Sequence, residues 1–421
     1  MKLNNNIIKF YLSGDKSIAI RALILCIYYK GIHKIYNLPN NDDVKSTLSA
    51  LNKIGLKFKL IKNGIQLNST KLKLNNLEID CNESATAARL LMGYFSGLNI
   101  KTIIKGQKTL KNRPMERIIN PLKSVGVNIK SNDQLLPLQI LGSDYLKPLD
   151  IKLEIASAQI KSALILYAMS INGESKIGGL IDTRDHLERM LLYNKYPIKI
   201  KNNEIRILGN SNNIKNLNIK IPGDISSASF LICASILSKN SNIQIMNVCI
   251  NKYRTGFIDV ACKMGAKIII KNKRNINGES VGDIYVLNGE KLKGINIDKN
   301  IVPNIIDEIP IISILAINAD GKTTFNGISE LRVKESDRLK AIISNIKLMN
   351  GDSAELKDNL VINGNKKLHN TTISSFNDHR IFMSFYIANK LINKNYKDKT
   401  NDNCYQKTFP NFIDEMDKVI N

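Results

Sequence analysis

The chain repeats one pattern six times, and this repetition constrains its fold more than any other feature. Six segments of small, polar or charged residues run straight into an apolar stretch of helical length. They are Ser13-Gly14-Asp15-Lys16-Ser17 into 18–27, Glu83-Ser84-Ala85-Thr86 into 87–95, and Ile155-Ala156-Ser157-Ala158-Gln159 into 160–169. The others are Pro222-Gly223-Asp224-Ile225-Ser226-Ser227 into 228–237, Ile306-Asp307-Glu308-Ile309-Pro310 into 311–317, and Phe376-Asn377-Asp378-His379-Arg380 into 381–388. After each comes a second, amphipathic stretch: 44–54, 115–125, 186–196, 255–264, 336–349 and 409–420. Several of these end in a glycine and a short β-branched run, as in Gly55-Leu56-Lys57-Phe58 and Gly265-Ala266-Lys267-Ile268-Ile269-Ile270. The repeat therefore reads β-α-β-α-β-β, an α/β class.

Six repeats divide naturally into three and three. The turn dipeptides Ser13-Gly14 and Pro222-Gly223 are the sharpest hinge candidates. They predict a central domain over 14–221 and a discontinuous second domain made of 1–13 and 222–421. Three repeats around a pseudo-threefold axis would bury their first helices together, with the helix N-termini pointing one way. Two such domains face to face would line a cleft with positive dipole ends, an anion trap.

The charged motifs support this expectation. Arg332-Val333-Lys334-Glu335-Ser336-Asp337-Arg338 and Asp378-His379-Arg380 both run into apolar helical patterns. Lys334 and Arg338 are four apart, so a continuous helix would put them on one face, with Glu335 at the opening turn. A carboxylate held among cations is a candidate proton carrier. Lys16 and Arg21 differ by five positions, so one could face the cleft while the other reaches round its rim.

Length and composition narrow the class. The 421 residues, 43% of them hydrophobic, suffice for two domains with full cores. The net charge of +24 is spread through strands and loops alike, so it reads as codon drift rather than as a basic patch. A nucleic-acid binder would cluster its cations with aromatics, and this chain has no Trp. Scattered Cys and His residues, without metal-ligand spacing, point to no metal. With no apolar leader and no run of eighteen apolar residues, a cytoplasmic protein away from any membrane is expected.

SGDKSIAIRAL, ESATAARLLMG, KNRPMER, ASAQIKSALIL, TRDHLERML, PGDISSASF, IDEIP, ELRVKESDRL, FNDHR and KTFPNF occur in this order over essentially the whole chain. Together they resemble the 5-enolpyruvylshikimate-3-phosphate synthase family, closest to its class II branch. The resemblance implies a two-domain inside-out α/β barrel with its active site in the interdomain cleft. It also implies transfer of enolpyruvyl from phosphoenolpyruvate to the 5-hydroxyl of shikimate 3-phosphate, with no metal or organic cofactor. A two-domain clamp needs no partner chain, so a monomer is expected.

By resemblance Lys16 touches both substrates. Ser17 and Arg21 take the shikimate carboxylate, for which the arginine fork is suited. Ser157, Ala158, Gln159, Arg184 and Lys334 hold the remainder of shikimate 3-phosphate. Arg338 and Arg380 take the phosphoenolpyruvate carboxylate, Arg113 and Lys407 join Lys16 on its phosphate, and Ala85 and Gln159 lie against it. Asp307, which also touches shikimate 3-phosphate, accepts the 5-hydroxyl proton. Glu335 shuttles a proton at the methylene carbon, Glu308 is the weaker candidate for base, and His379 orients its neighbours.

The chain departs from the family pattern at Glu83 and Ala85, where many relatives have Asn and Gly. A carboxylate aimed at bound phosphate would be unfavourable, so either Glu83 turns away or the chain binds phosphoenolpyruvate poorly. The resemblance also implies inhibition by glyphosate at the phosphoenolpyruvate site, which the Ala85 methyl would crowd. The sister activity, enolpyruvyl transfer to UDP-N-acetylglucosamine, calls for a reactive Cys in a mobile loop of the central domain. Neither Cys26 nor Cys81 fits that description.

Overall fold

The computed structural model describes residues 7–211, 216–238, 242–287, 291–400 and 402–420. The N-terminal segment 1–6, read above as lacking an apolar leader, lies outside them. The first repeat is β1 (Ile7–Tyr11), α1 (Lys16–Tyr28), β2 (Ile32–Tyr36), α2 (Asp42–Lys53), β3 (Lys57–Ile61) and β4 (Gly64–Asn68). The second is β5 (Leu77–Asp80), α3 (Ala85–Gly97), β6 (Thr102–Lys105), α4 (Glu116–Ser124), β7 (Asn128–Ser131) and β8 (Leu138–Leu141). The third is β9 (Asp150–Leu153), α5 (Ala158–Ser170), β10 (Glu174–Gly179), α6 (His186–Tyr193), β11 (Ile198–Lys201) and β12 (Glu204–Leu208).

The fourth repeat is β13 (Asn218–Lys220), α7 (Ile225–Leu237), β14 (Asn242–Cys249), α8 (Gly256–Lys263), β15 (Lys267–Ile276) and β16 (Glu279–Leu287). The fifth is β17 (Asn296–Ile297), α9 (Val302–Ile305), α10 (Ile309–Ile317), β18 (Lys322–Phe325), α11 (Arg338–Leu348), β19 (Asp352–Leu356) and β20 (Asn359–Asn363). The sixth keeps its two helices, α12 (His379–Ile392) and α13 (Phe412–Ile420), but has no strand among the described residues. The expected sixth sheet is thus absent among the described residues. Where its second strand would lie, 393–400 reads NKNYKDKT, too polar and too poor in β-branched residues to make a half-buried strand.

All five sheets share one topology, in which the repeat's first strand pairs with its second, the second with its fourth and the fourth with its third. Two first strands are exchanged. β1 runs parallel to β14, with Ile7 opposite Asn242, while β13 runs parallel to β2, with Asn218 opposite Lys34. The chain divides into two compact units at the points of exchange. The discontinuous unit holds Met1–Ser13, Pro222–Asn275 and Ser280–Asn421, and the central unit holds Gly14–Ile221 and Ile276–Glu279. The sequence places all of 222–421 in one domain, whereas these last four residues group with the other. There Lys220 N–H donates to Asn277 Oδ1 at 2.8 Å.

Each unit is built inside out. α1, α3 and α5 are apolar on almost every side and buried along nearly their whole length, as are α7, α10 and α12 in the other unit. The sheets lie outside them; β3, for example, is exposed at four of its five positions. Close approach of α3 to α5 depends on Gly93, where a Cβ would stand 1.9 Å from the Ala163 carbonyl oxygen. No single helix among the described residues is long and apolar enough to cross a membrane.

Candidate active site

In the central unit the candidate residues collect where the three core helices begin. Asp15 caps α1, accepting from Ile18 N–H at 3.0 Å, so the helix opens with Lys16 and Ser17. Ser84 caps α3, which begins at the buried Ala85, and Ser157 caps α5, which begins with Ala158 and Gln159. Side chains then join the three ends. Arg21 donates to Ser162 Oγ on α5 at 3.1 Å, to Ala158 O at 3.2 Å and to Ser17 O at 2.9 Å. Arg21 is 2% exposed and does not reach round a rim, because every side of α1 is buried.

Gln159 donates to Thr86 Oγ1 at 2.8 Å and accepts from Arg89 on α3, whose other terminal nitrogen donates to Pro114 O at 3.1 Å. Arg113 therefore sits beside a backbone position tied to α3. Lys16 forms an ion pair of 2.6 Å with Asp43 on α2. Glu83 is turned to Lys108 at 2.8 Å, which answers the charge that its substitution brings to this turn. Arg184 follows Thr183, whose carbonyl accepts from the buried Lys161 at 3.0 Å. Burial pushes the thiols of Cys26 and Cys81 well above their ordinary range, so neither is a ready nucleophile.

In the discontinuous unit Arg338 is the hub. It is 1% exposed and meets three carboxylates. Nε donates to Asp378 Oδ2 at 2.8 Å, one terminal nitrogen lies 2.7 Å from Glu335 Oε2, and the other lies 3.4 Å from Asp307 Oδ1. Burial alone would pull its pKa down, but Asp378, Glu335 and Asp307 outweigh that and raise it above the ordinary arginine value. The two acid–base candidates, distant in sequence, thus share one permanent cation. Asp378 is fully buried, while Asp307 and Glu335 each keep about a fifth of their side-chain surface exposed.

The helix geometry here corrects one expectation. Lys334 and Arg338 do not share a helix face. Ser329–Val333 is a short 3₁₀ turn, Lys334 is extended, and α11 begins only at Arg338 because Asp337 caps it through Lys340 N–H at 3.0 Å. Arg380, the second residue of α12, donates to Asp307 O at 2.9 Å and lies 3.4 Å from Glu308 Oε1. Glu308 also accepts from Ser226 Oγ at 2.6 Å, which places it in a buried network rather than at an open surface.

Phe376 and Asn377 hold left-handed backbone (φ 54° and 58°) immediately before the Asp378 cap of α12. This is a costly state for Phe. Ser375 braces it, accepting from Asn377 N–H at 3.0 Å and donating to Asp402. Lys407 ends the 3₁₀ turn Cys404–Lys407, which Tyr405 pins by stacking on Phe382 of α12 at 5.4 Å between ring centroids.

Asp43, Arg89 and Lys161 escaped the sequence-based expectations. Arg89 and Lys161 each carried a local signal, as a charge inside an apolar helical run, while Asp43 carried none.

The EPSP synthase (3-phosphoshikimate 1-carboxyvinyltransferase) family profile matches residues 6–416. The 3-phosphoshikimate 1-carboxyvinyltransferase of Clostridium tetani is 42% identical over 412 residues, spanning 96% of this chain and 92% of its own. That of Petrotoga mobilis is 41% identical, spanning 97% and 96%. Among solved structures, an EPSP synthase from Acinetobacter baumannii aligns with a TM-score of 0.84 at 31% identity, covering 98% of this chain and 95% of that one. The enolpyruvyl transferase NikO of Streptomyces tendae, at 12% identity and a TM-score of 0.75 over 99% and 94%, shares the fold. Such agreement along nearly the full length leaves one assignment: the chain belongs to the EPSP synthase family.

Proposed function

We infer that this chain transfers the enolpyruvyl group of phosphoenolpyruvate to the 5-hydroxyl of shikimate 3-phosphate and releases phosphate, a step toward chorismate and the aromatic amino acids. The family match over residues 6–416 carries this reading. The 5-hydroxyl oxygen bonds to the enol carbon while a proton arrives at the methylene carbon. The tetrahedral adduct then loses phosphate and a methyl proton, which restores the double bond. Atoms and charge balance with side chains alone as proton carriers.

Asp307 accepts the hydroxyl proton, and Glu335 delivers the methylene proton and later removes the methyl proton. Their partial exposure, against the full burial of Asp378, supports this division. Asp378 keeps Arg338 in place, while the two others can exchange partners when a substrate carboxylate reaches the guanidinium. Arg338 and Arg380 take the phosphoenolpyruvate carboxylate. Lys16, Arg113 and Lys407 take its phosphate, with Ala85 and Gln159 alongside. Shikimate 3-phosphate rests on Lys16, Ser17, Arg21, Ser157, Ala158, Gln159, Arg184, Asp307 and Lys334. Free N–H groups at the three capped helix ends suit its phosphate. The reaction runs in the cytoplasm, on a monomer.

Phosphate release from phosphoenolpyruvate, with shikimate 3-phosphate as sole acceptor, tests the reading. Release with UDP-N-acetylglucosamine but not with shikimate 3-phosphate would overturn it.

A further inference from the structure

Lys161 lies on the first turn of α5, and its backbone N–H donates to Ser157 O at 3.0 Å. Its side chain is 2% exposed, yet it has the three acceptors that an ammonium can use. Nζ donates to Ile181 O at 2.8 Å and to Thr183 O at 3.0 Å, and lies 2.7 Å from Glu188 Oε1 on α6. Glu188 is 1% exposed, and its Oε2 has no hydrogen-bond partner among the described residues.

A buried ion pair of this kind is a poor stabiliser. Apolar residues of similar volume commonly do as well or better, because desolvation offsets the Coulomb gain. The two backbone carbonyls give Lys161 a different use. They belong to the irregular segment between β10 and α6, which is folded tightly on itself: Ile181 N–H bonds Gly179 O at 2.8 Å, and Thr183 N–H bonds Ile181 O at 2.7 Å. At its start Leu180 N–H bonds Leu153 O of β9 at 2.8 Å, and Arg184 follows Thr183 directly. One ammonium thereby joins the turn that presents Ser157, Ala158 and Gln159 to the turn that presents Arg184.

We propose that Lys161 is a positioning residue for the shikimate 3-phosphate subsite. It holds Arg184 in register with the α5 N-terminus through the carbonyls of Ile181 and Thr183, while Glu188 balances its charge. This rests on the assignment of Arg184 and Ser157–Gln159 to shikimate 3-phosphate made above. Arg184 is assigned to shikimate 3-phosphate alone, so its displacement should weaken that substrate selectively, which a general structural role would not do.

The test measures KM for each substrate, kcat and the thermal midpoint in four variants. Lys161→Met should raise KM for shikimate 3-phosphate about ten- to a hundredfold, the scale of an ångström-sized misplacement. KM for phosphoenolpyruvate should stay near the wild-type value. Glu188→Gln keeps both carbonyl bonds, so it should lower the thermal midpoint and leave both KM values near wild type. Lys161→Met can strand the buried Glu188 carboxylate, so the double variant Lys161→Met/Glu188→Met guards against misfolding. It should be at least as stable as wild type and still show the selective rise in KM. Arg184→Ala separates two kinds of failure. A wild-type KM in Arg184→Ala overturns the assignment of Arg184 and this inference with it. A raised KM there, beside a folded double variant with wild-type KM or with both KM values raised alike, overturns the inference alone.

Discussion

At the starts of their core helices the two units partner their arginines differently, although lysines of the central unit also meet carboxylates, Lys16 at Asp43 and Lys161 at Glu188. In the central unit Arg21 and Arg89 donate to carbonyls, a hydroxyl and an amide. In the discontinuous unit Arg338 meets three carboxylates, Arg380 meets Glu308, and Arg254 meets Asp224. Neutral partners leave a positive field in place, whereas carboxylates cancel it and supply groups that can carry protons. Repeats of one fold can therefore divide the work between attracting anions and moving protons, by the partners given to each arginine.

The sharpest way to break this comparison is Glu335→Gln, which keeps the shape and the bond to Arg338 but cannot carry a proton. We expect kcat to fall by about 10²–10⁴-fold with KM values little changed. Near wild-type turnover at saturating substrates would remove Glu335 from the proton path. Asp378→Asn comes next. It takes the one fully buried carboxylate from Arg338, and stability should drop by about 3–5 kcal/mol as for other broken buried pairs. Urea denaturation reads this directly, and a loss below 1 kcal/mol would mean that Asp307 and Glu335 alone can hold the guanidinium.

In the central unit Ala85→Gly removes a buried methyl beside the α3 N-terminus. Overpacking costs about 1–3 kcal/mol, so the glyphosate inhibition constant should tighten by roughly 5- to 150-fold. Equal constants for the two forms would show that the methyl does not crowd the inhibitor. The smallest effect belongs to the exposed pair Lys105–Glu78, at 2.6 Å with both partners largely in water. Glu78→Ala should change stability by less than about 0.5 kcal/mol, and a larger loss would mean that surface pairing, not only buried pairing, shapes the central unit.

The two helices of each repeat were legible from their apolar runs, with observed bounds within a few residues of expectation, while the short α9 was not expected. Caps decide those residues. α11 starts at Arg338 rather than Ser336 because the Asp337 carboxylate takes Lys340 N–H, and two polar residues side by side do not reveal which will cap. The turn dipeptides Ser13-Gly14 and Pro222-Gly223 already assigned the first strand to the discontinuous domain, while the partners of β1 and β13 were not legible, since either strand satisfies the periodicity of either sheet. The Arg338 cluster was half legible: RVKESDR and NDHR showed the charges, while their convergence on Asp307 depends on how the fifth and sixth repeats pack. Lys161 shows the opposite case. Inside SAQIKSALILYAM a lone charge on a helix buried all round must find acceptors, but nothing local says that they lie at Ile181, Thr183 and Glu188.

The strand exchange also sets an order of assembly during synthesis. β1 leaves the ribosome before the other described elements, yet Ile7 must wait for Asn242 before it has a sheet to join. Until then it is an unpaired strand, the kind of edge that invites wrong partners. The central unit can close the sheet of its first repeat as soon as Ile219 meets Ile35, with the rest of the chain still unmade. A nascent chain therefore completes the second-begun unit first, reversing the N-to-C order in which domains usually fold. The unit that owns the first strand is the last to be finished.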